Sequence, residues 1–172
     1  MEFAIALPLL ILLGWGLATV SVKIFELGKI QLADYVLEEE IHEVLSRLIY
    51  DARAAKNVVA TNGTSTITFT YRANNTTLNK ILVKSEVRVY KRVGDLGRKG
   101  SKINYKRQEG WPLNPITGDN YFGETRIIQF DFNQPAKNVL YVTLEMQSEV
   151  SEHKIKISTA VYMPSCESFH IY

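Results

Sequence analysis

One cysteine, Cys166, stands in a chain of 172 residues, which excludes an intrachain disulfide and a cluster of thiolates around a metal. Histidine is nearly as scarce: His42, His153 and His170 are far apart in the chain. Charge is missing from Phe3 to Val22, where no Asp, Glu, Lys or Arg occurs, and all 20 basic residues lie at or beyond Lys23. The formal net charge is only +2. That is too small for the molecule as a whole to be drawn to nucleic acid or to an anionic membrane, so any electrostatic attraction has to be local. No internal repeat or low-complexity tract is present.

The uncharged stretch is the first positive feature. Twenty residues rise about 30 Å as an α-helix, the thickness of a bilayer's hydrocarbon core. A cleaved secretory signal is the competing reading, but such signals open on a basic region and have a shorter apolar core, whereas this chain opens Met1-Glu2. The expectation is an uncleaved transmembrane anchor. Pro8 lacks an amide donor and crowds the preceding turn, which predicts a helix kinked or locally open near its start. Glu2, at the apolar end, reads either as an interfacial residue reaching headgroups or as a carboxylate paired with a positive group on a neighbouring subunit.

Beyond the anchor the helical pattern continues. From Ile30 onward, Ala33, Val36, Leu37, Ile41, Val44, Leu45, Leu48, Ile49 and Ala52 recur every three or four positions, which predicts an amphipathic helix. Asp34, Glu38, Glu39, Glu43, Arg47 and Asp51 are expected on the opposite, solvated face. No proline interrupts from Leu9 to Arg53, so the prediction is one helix of about 50 residues ending near Ala55. Gly14, Gly16 and Gly28 are points where it could bend or admit another helix.

The apolar period then changes to two. Ile67, Phe69 and Tyr71 alternate with threonines, and Ile81, Val83, Val87 and Val89 alternate largely with polar residues; each run reads as a half-buried strand. Further strands are expected at Lys102 to Arg107, Thr125 to Phe132, Val139 to Met146 and Lys154 to Met163. Turns are expected at Asn62-Gly63, Asn74-Asn75, Gly94 to Gly100 and Asn133 to Pro135. Short sequential strands without helices between them imply an antiparallel sheet, covered by the amphipathic half of the helix. The segment Gly110 to Gly123 reads as an ordered surface loop anchored by Trp111 and Tyr121. The predicted class is α+β: residues 1–29 form a transmembrane or filament-core helix, and residues 30–172 an amphipathic helix with a β-rich head.

The opening Glu2-Phe3-Ala4-Ile5-Ala6-Leu7-Pro8-Leu9-Leu10-Ile11-Leu12-Leu13-Gly14, followed by Phe25-Glu26-Leu27-Gly28, resembles the hydrophobic N-terminus of tight-adherence (TadE-like) pilus proteins. The remainder, with Leu45-Ser46-Arg47-Leu48-Ile49-Tyr50-Asp51-Ala52-Arg53 leading into Thr66-Ile67-Thr68-Phe69 and Val87-Arg88-Val89-Tyr90-Lys91-Arg92, is similar to minor pilins and pseudopilins of type IV pilus and type II secretion systems. The resemblance implies a non-enzymatic structural subunit without a cofactor. It would sit as a single-pass membrane protein with an extracytoplasmic head, then join other pilin or pseudopilin subunits in a cell-surface filament. Glu2 would pair with the terminal amine of an adjacent subunit, and Pro8 would loosen the anchor helix. Family precursors carry a basic leader cut a few residues before that glutamate; here only Met1 precedes Glu2. Lys23 and Lys29 follow the span and no basic residue precedes it, which opposes the positive-inside tendency, a conflict that an upstream basic leader would remove.

No catalytic constellation emerges. Glu39 and His42 have the spacing of a carboxylate-histidine metal pair but lack partner ligands on other helices, so no metal is expected. His153 and His170 read as isolated, and Cys166 has no base at a meaningful spacing. The sequons at Asn62, Asn74 and Asn75 fall at expected turns. One charge cluster stands out. Residues 80–107 hold Lys80, Lys84, Arg88, Lys91, Arg92, Arg98, Lys99, Lys102, Lys106 and Arg107 against Glu86 and Asp95, a net +8, with Tyr90 and Tyr105 interleaved. This hairpin could attract DNA or an anionic surface by counterion release, with Lys91, Arg92, Arg98, Lys99, Lys102, Lys106 and Arg107 as candidate contacts; otherwise it is a solvated face balanced by acids on the helix or on adjoining subunits. A third reading is a single-pass membrane protein with a sensor or scaffold head.

Overall fold

A computed structural model describes residues 2–71, 86–107, 110–118 and 125–172, with side chains from Pro8 onward. One helix, α1 (Glu2–Ala54), is followed by nine strands: β1 (Asn57–Thr61), β2 (Thr66–Tyr71), β3 (Glu86–Val93), β4 (Lys102–Lys106), β5 (Asn114–Pro115), β6 (Thr125–Ala136), β7 (Val139–Ser148), β8 (Lys154–Tyr162) and β9 (Ser168–Ile171). The fold is α+β, as the change of period from helical to alternating implies. At 53 residues, α1 is about 80 Å long, and it runs unbroken through Pro8.

Two halves of one helix differ in burial. Every residue from Pro8 to Leu32 is exposed. From Ala33 onward the expected stripe turns inward: Leu37, Ile41, Val44, Leu48 and Ala52 are fully buried, with Leu45 nearly so and Ile49 half-buried. Each large aliphatic side chain buried this way stabilises the head by about 1.5–3 kcal/mol. The register of the stripe therefore determines which side of α1 the head occupies.

The strands form two sheets where a single antiparallel one was expected. Six strands run in the order β5-β4-β3-β2-β1-β9, and three in the order β6-β7-β8. All pairs are antiparallel except β1 with β9, where the C-terminal strand returns alongside the first. Neither β1 nor β9 was expected from the sequence. Five residues of Asn57–Thr61 alternate exposed and buried, too short a run beside the helix end for its period to declare itself. Phe69, Tyr90 and Ile103 of the larger sheet join Ile127, Phe130, Phe132, Leu140, Leu144 and Met146 of the smaller one and the α1 stripe in one core. Asn62 clips the sheets together: its side-chain amide donates to the Phe132 carbonyl at 3.0 Å, and its side-chain oxygen accepts from the Phe132 amide at 2.9 Å.

Other expectations need correction. Asp51 is not on the solvated face but 2 % exposed, because the head reaches around the last turns of α1. The Asn133 to Pro135 turn is strand; the chain reverses at Lys137–Asn138, where Asn138 holds φ 61°. Pro135 is tolerated because β6 is an edge strand, with no neighbour on one side to demand its missing amide. In the loop after β4, Trp111 is exposed rather than buried in the core. Instead, Ile116 packs on the core, the buried Thr117 hydroxyl oxygen accepts from the Ile103 amide at 3.0 Å, and the Gly118 amide donates to Glu40 at 3.0 Å. Ile81, Val83, the Asn74-Asn75 turn, Lys80, Lys84 and Tyr121 lie outside the described residues.

Candidate functional site

The first candidate surface is the bare half of α1. Leu10, Leu13, Leu17, Ile24, Phe25 and Leu27 each leave more than half their surface uncovered, and the helix is long and apolar enough to cross a membrane. Its few polar groups are satisfied locally. The Thr19 hydroxyl donates to the Trp15 carbonyl and the Ser21 hydroxyl to the Leu17 carbonyl, both at 2.9 Å, which removes the cost of leaving a hydroxyl unpaired in an apolar medium. Charge resumes at the far end, where Lys23 pairs with Glu26 at 3.0 Å and the Lys29 ammonium lies 4.8 Å from the Phe25 ring centre. Gly14, Gly16 and Gly28 face open space. Pro8 is exposed within the helix. Glu2 belongs to the helix, and its side chain lies outside the described residues.

The second candidate, the basic hairpin, is divided by the strand alternation. Register pairs Tyr90 with Tyr105, Lys91 with Asn104, and Val89 with Lys106. Successive side chains point to opposite faces, so Arg88, Tyr90 and Arg92 share one face of the sheet, where Arg88 and Tyr90 meet the helix, while Lys91, Lys102 and Lys106 lie on the other. Several of the cations are engaged. The Arg92 Nε donates to the Ser65 hydroxyl at 3.2 Å, and its terminal nitrogen donates to the Gly94 carbonyl. Arg98 pairs with Asp95 at 3.5 Å and Lys99 with Glu149 at 3.3 Å, and the Lys102 stem packs along Gly118. Among the described residues, Lys91, Lys106 and Arg107 form no ion pair.

Arg88, counted in the cationic cluster, belongs to a third arrangement that the linear pattern conceals. It pairs with Asp51 across the helix-sheet boundary, and its guanidinium lies 4.7 Å from the Tyr71 ring centre. The Tyr90 hydroxyl donates to the other Asp51 oxygen at 2.7 Å, and the Tyr71 hydroxyl to the Asp51 backbone carbonyl at 3.1 Å. Burial, with Asp51 beside it, pushes the Tyr90 and Tyr71 phenols well above the usual tyrosine range. For Tyr105 the same two causes outweigh the opposing pull of Arg88, Arg107 and Arg47. For Arg88, burial works against the charge, but Asp51 and the neighbouring phenols more than offset it and the guanidinium is held more firmly protonated. A spacing-based signal existed, since Asp51, Arg88 and Tyr90 are polar residues at core-facing register positions, but reading it requires the strand pairing.

The remaining titratable groups fall away from chemistry. Glu39 and His42 are both exposed, and no group of three His, Cys, Asp or Glu able to hold a metal occurs among the described residues. His153 is not isolated: its Nδ1 lies 3.5 Å from Asp34, which also accepts from the Ser151 hydroxyl, tying the helix to the β7–β8 turn. His170 is exposed and stacks on Tyr172. Cys166 is buried, and that burial raises its thiol pKa, which disfavours a nucleophile.

The class these features define is an α+β protein with one helix long and apolar enough to span a bilayer and a two-sheet head built on that helix's far end. Comparison with protein-family models, curated proteins and solved structures finds no match to this chain.

Proposed function

We propose that the chain is a structural minor subunit of a type IV pilus-like, tight-adherence or type II secretion-like filament, held by its apolar helix first in the membrane and then among the helices of other subunits. The observation that carries this reading is the division of one unbroken helix into an uncovered apolar half and a half that is the spine of the head's core. A head with its own membrane anchor needs no such continuity, because a flexible linker would serve. A continuous rod transmits the position of its apolar half rigidly to the head, which suits assembly through that half. The resemblance of residues 2–28 to TadE-like N-termini supports the same reading, with Glu2 as the carboxylate for a neighbour's terminal amine and Pro8 as the loosening point. The head would lie outside the cytoplasm.

The test is to shear surface filaments from cells and probe them for this chain. Recovery of the full helix in the sheared fraction, abolished by Leu17→Arg, is the expected result. Recovery solely as a membrane monomer, or as material starting after Val22, would sink the proposal. A second reading, DNA or anionic-surface binding at the filament tip, is supported by Lys91, Lys106 and Arg107, which are charged and unpaired among the described residues.

A further inference from the structure

Beside the helix-sheet boundary lies a cleft of about 320 Å³, walled by Glu43 and Arg47 of α1, Tyr105 of β4, Arg107 just beyond it, Trp111 in the loop that follows and Asn114 of β5. Trp111 leaves 55 % of its surface in water. Glu43 engages Arg47 at 2.5 Å, while Arg107 has no ion pair among the described residues. Tryptophan, tyrosine and arginine around a concavity form the composition that concentrates binding energy at protein interfaces. A guanidinium without a carboxylate selects an acidic partner.

The same chain carries the complement. Tyr35 is 63 % exposed, and Glu38 and Glu39 are exposed without an ion pair among the described residues. At 100° per residue these three lie within an arc of about 100° that faces away from the buried stripe. The head leaves this patch uncovered, and it is continuous with the bare apolar face below it.

We propose that the cleft seats the Tyr35–Glu39 stretch of a second copy of this chain, with Tyr35 entering beside Trp111 and Glu39 pairing with Arg107. The two surfaces stand at different heights, since residues 43–47 lie about 12 Å farther along the helix axis than residues 35–39. Upright copies in one flat bilayer hold matching residues at one height, so patch meets cleft only where the neighbour is displaced by about 12 Å along the helix axis. The contact is therefore head-to-tail, each copy offering the next a free cleft, and it propagates. This step rests on the filament reading, in which successive subunits are displaced along the axis, and it adds a lateral contact outside the apolar helices.

The test uses the full chain in filaments sheared from its own cells, with Glu39→Cys and Arg107→Cys introduced together and a short thiol-reactive cross-linker; the native Cys166, being buried, competes poorly. The expected product is a covalent ladder extending past the dimer, absent from either single-cysteine chain. In the native background Glu39→Arg should weaken association about tenfold, and adding Arg107→Glu to the same chain should restore it. A product that stops at the dimer, adducts that hold a different protein, or a charge swap that fails to rescue each overturn the contact. If the double-cysteine chain enters sheared filaments yet gives no cross-link, the contact is wrong and the filament reading stands; if the chain never leaves the membrane, the filament reading and the contact that rests on it both fall.

Discussion

Asp51 shows how one side chain can join an element to the sheet it covers. Its carboxylate meets Arg88 and Tyr90, and its backbone carbonyl accepts from Tyr71, so three strand residues converge on one helical position. Removing one partner of a buried ion pair leaves the other uncompensated. Asp51→Ala should therefore destabilise the detergent-solubilised chain by about 3 kcal/mol in chemical denaturation followed by circular dichroism. Tyr90→Phe, which leaves the Arg88 pair intact, should cost about half as much. The raised phenol pKa values of Tyr71, Tyr90 and Tyr105 add a pH dependence. Below about pH 10 both folded and unfolded chains keep these protons, and this contribution is constant. Above it the unfolded chain loses them first, so stability falls as pH rises. Thermal midpoints should fall more steeply with pH above pH 10 than below it, and less steeply in Tyr90→Phe; an equal slope in the two chains would contradict the assignment.

At the scale of elements, the helix was legible and the β6–β7 turn was not. A stripe of Ala33, Leu37, Ile41, Val44, Leu48 and Ala52 repeats over five turns, and only a helix can bury such a repeat on one side. The strand reversal was expected at Asn133-Gln134-Pro135, which misled because an edge strand accepts proline. What decides the turn is Asn138, whose left-handed φ of 61° suits asparagine better than other side chains. Asn138→Ala should cost about 1 kcal/mol and Asn138→Gly little, measured by the same denaturation. Equal stability of the alanine and glycine variants would show that the backbone there is not strained. The short β1 and β9 were hidden for a related reason: a four- or five-residue run has too few alternations to stand out, and the pairing of β9 with β1 brings together residues about 110 positions apart.

Across the whole molecule, the near-neutral total of +2 conceals a dense positive segment, and the fold then disperses that segment. Arg88 turns toward the helix, Arg92 donates to Ser65 and to the Gly94 carbonyl, Arg98 and Lys99 find carboxylates, and Lys91, Lys106 and Arg107 are left unpaired among the described residues. Duplex DNA titrated against the full chain at rising salt is expected to give a log–log affinity slope of about −3, about one step for each of these cations. Replacing all three by glutamate should remove the binding. A slope steeper than about −6 would mean that the paired cations also meet phosphate.

The amino-acid order by itself determined the helix, its uncharged first half, the buried stripe of its second half and the β-rich class of the head, because each is a local pattern of period or composition that does not depend on distant residues. Only the tertiary structure decided that the strands divide into two sheets, that Asp51 is an interior anchor, that the cations part company, and that Trp111 stands over a cleft beside Arg107. Those outcomes depend on which strand lies beside which, and the register that sets them is enforced by a shared core assembled from residues far apart in the chain.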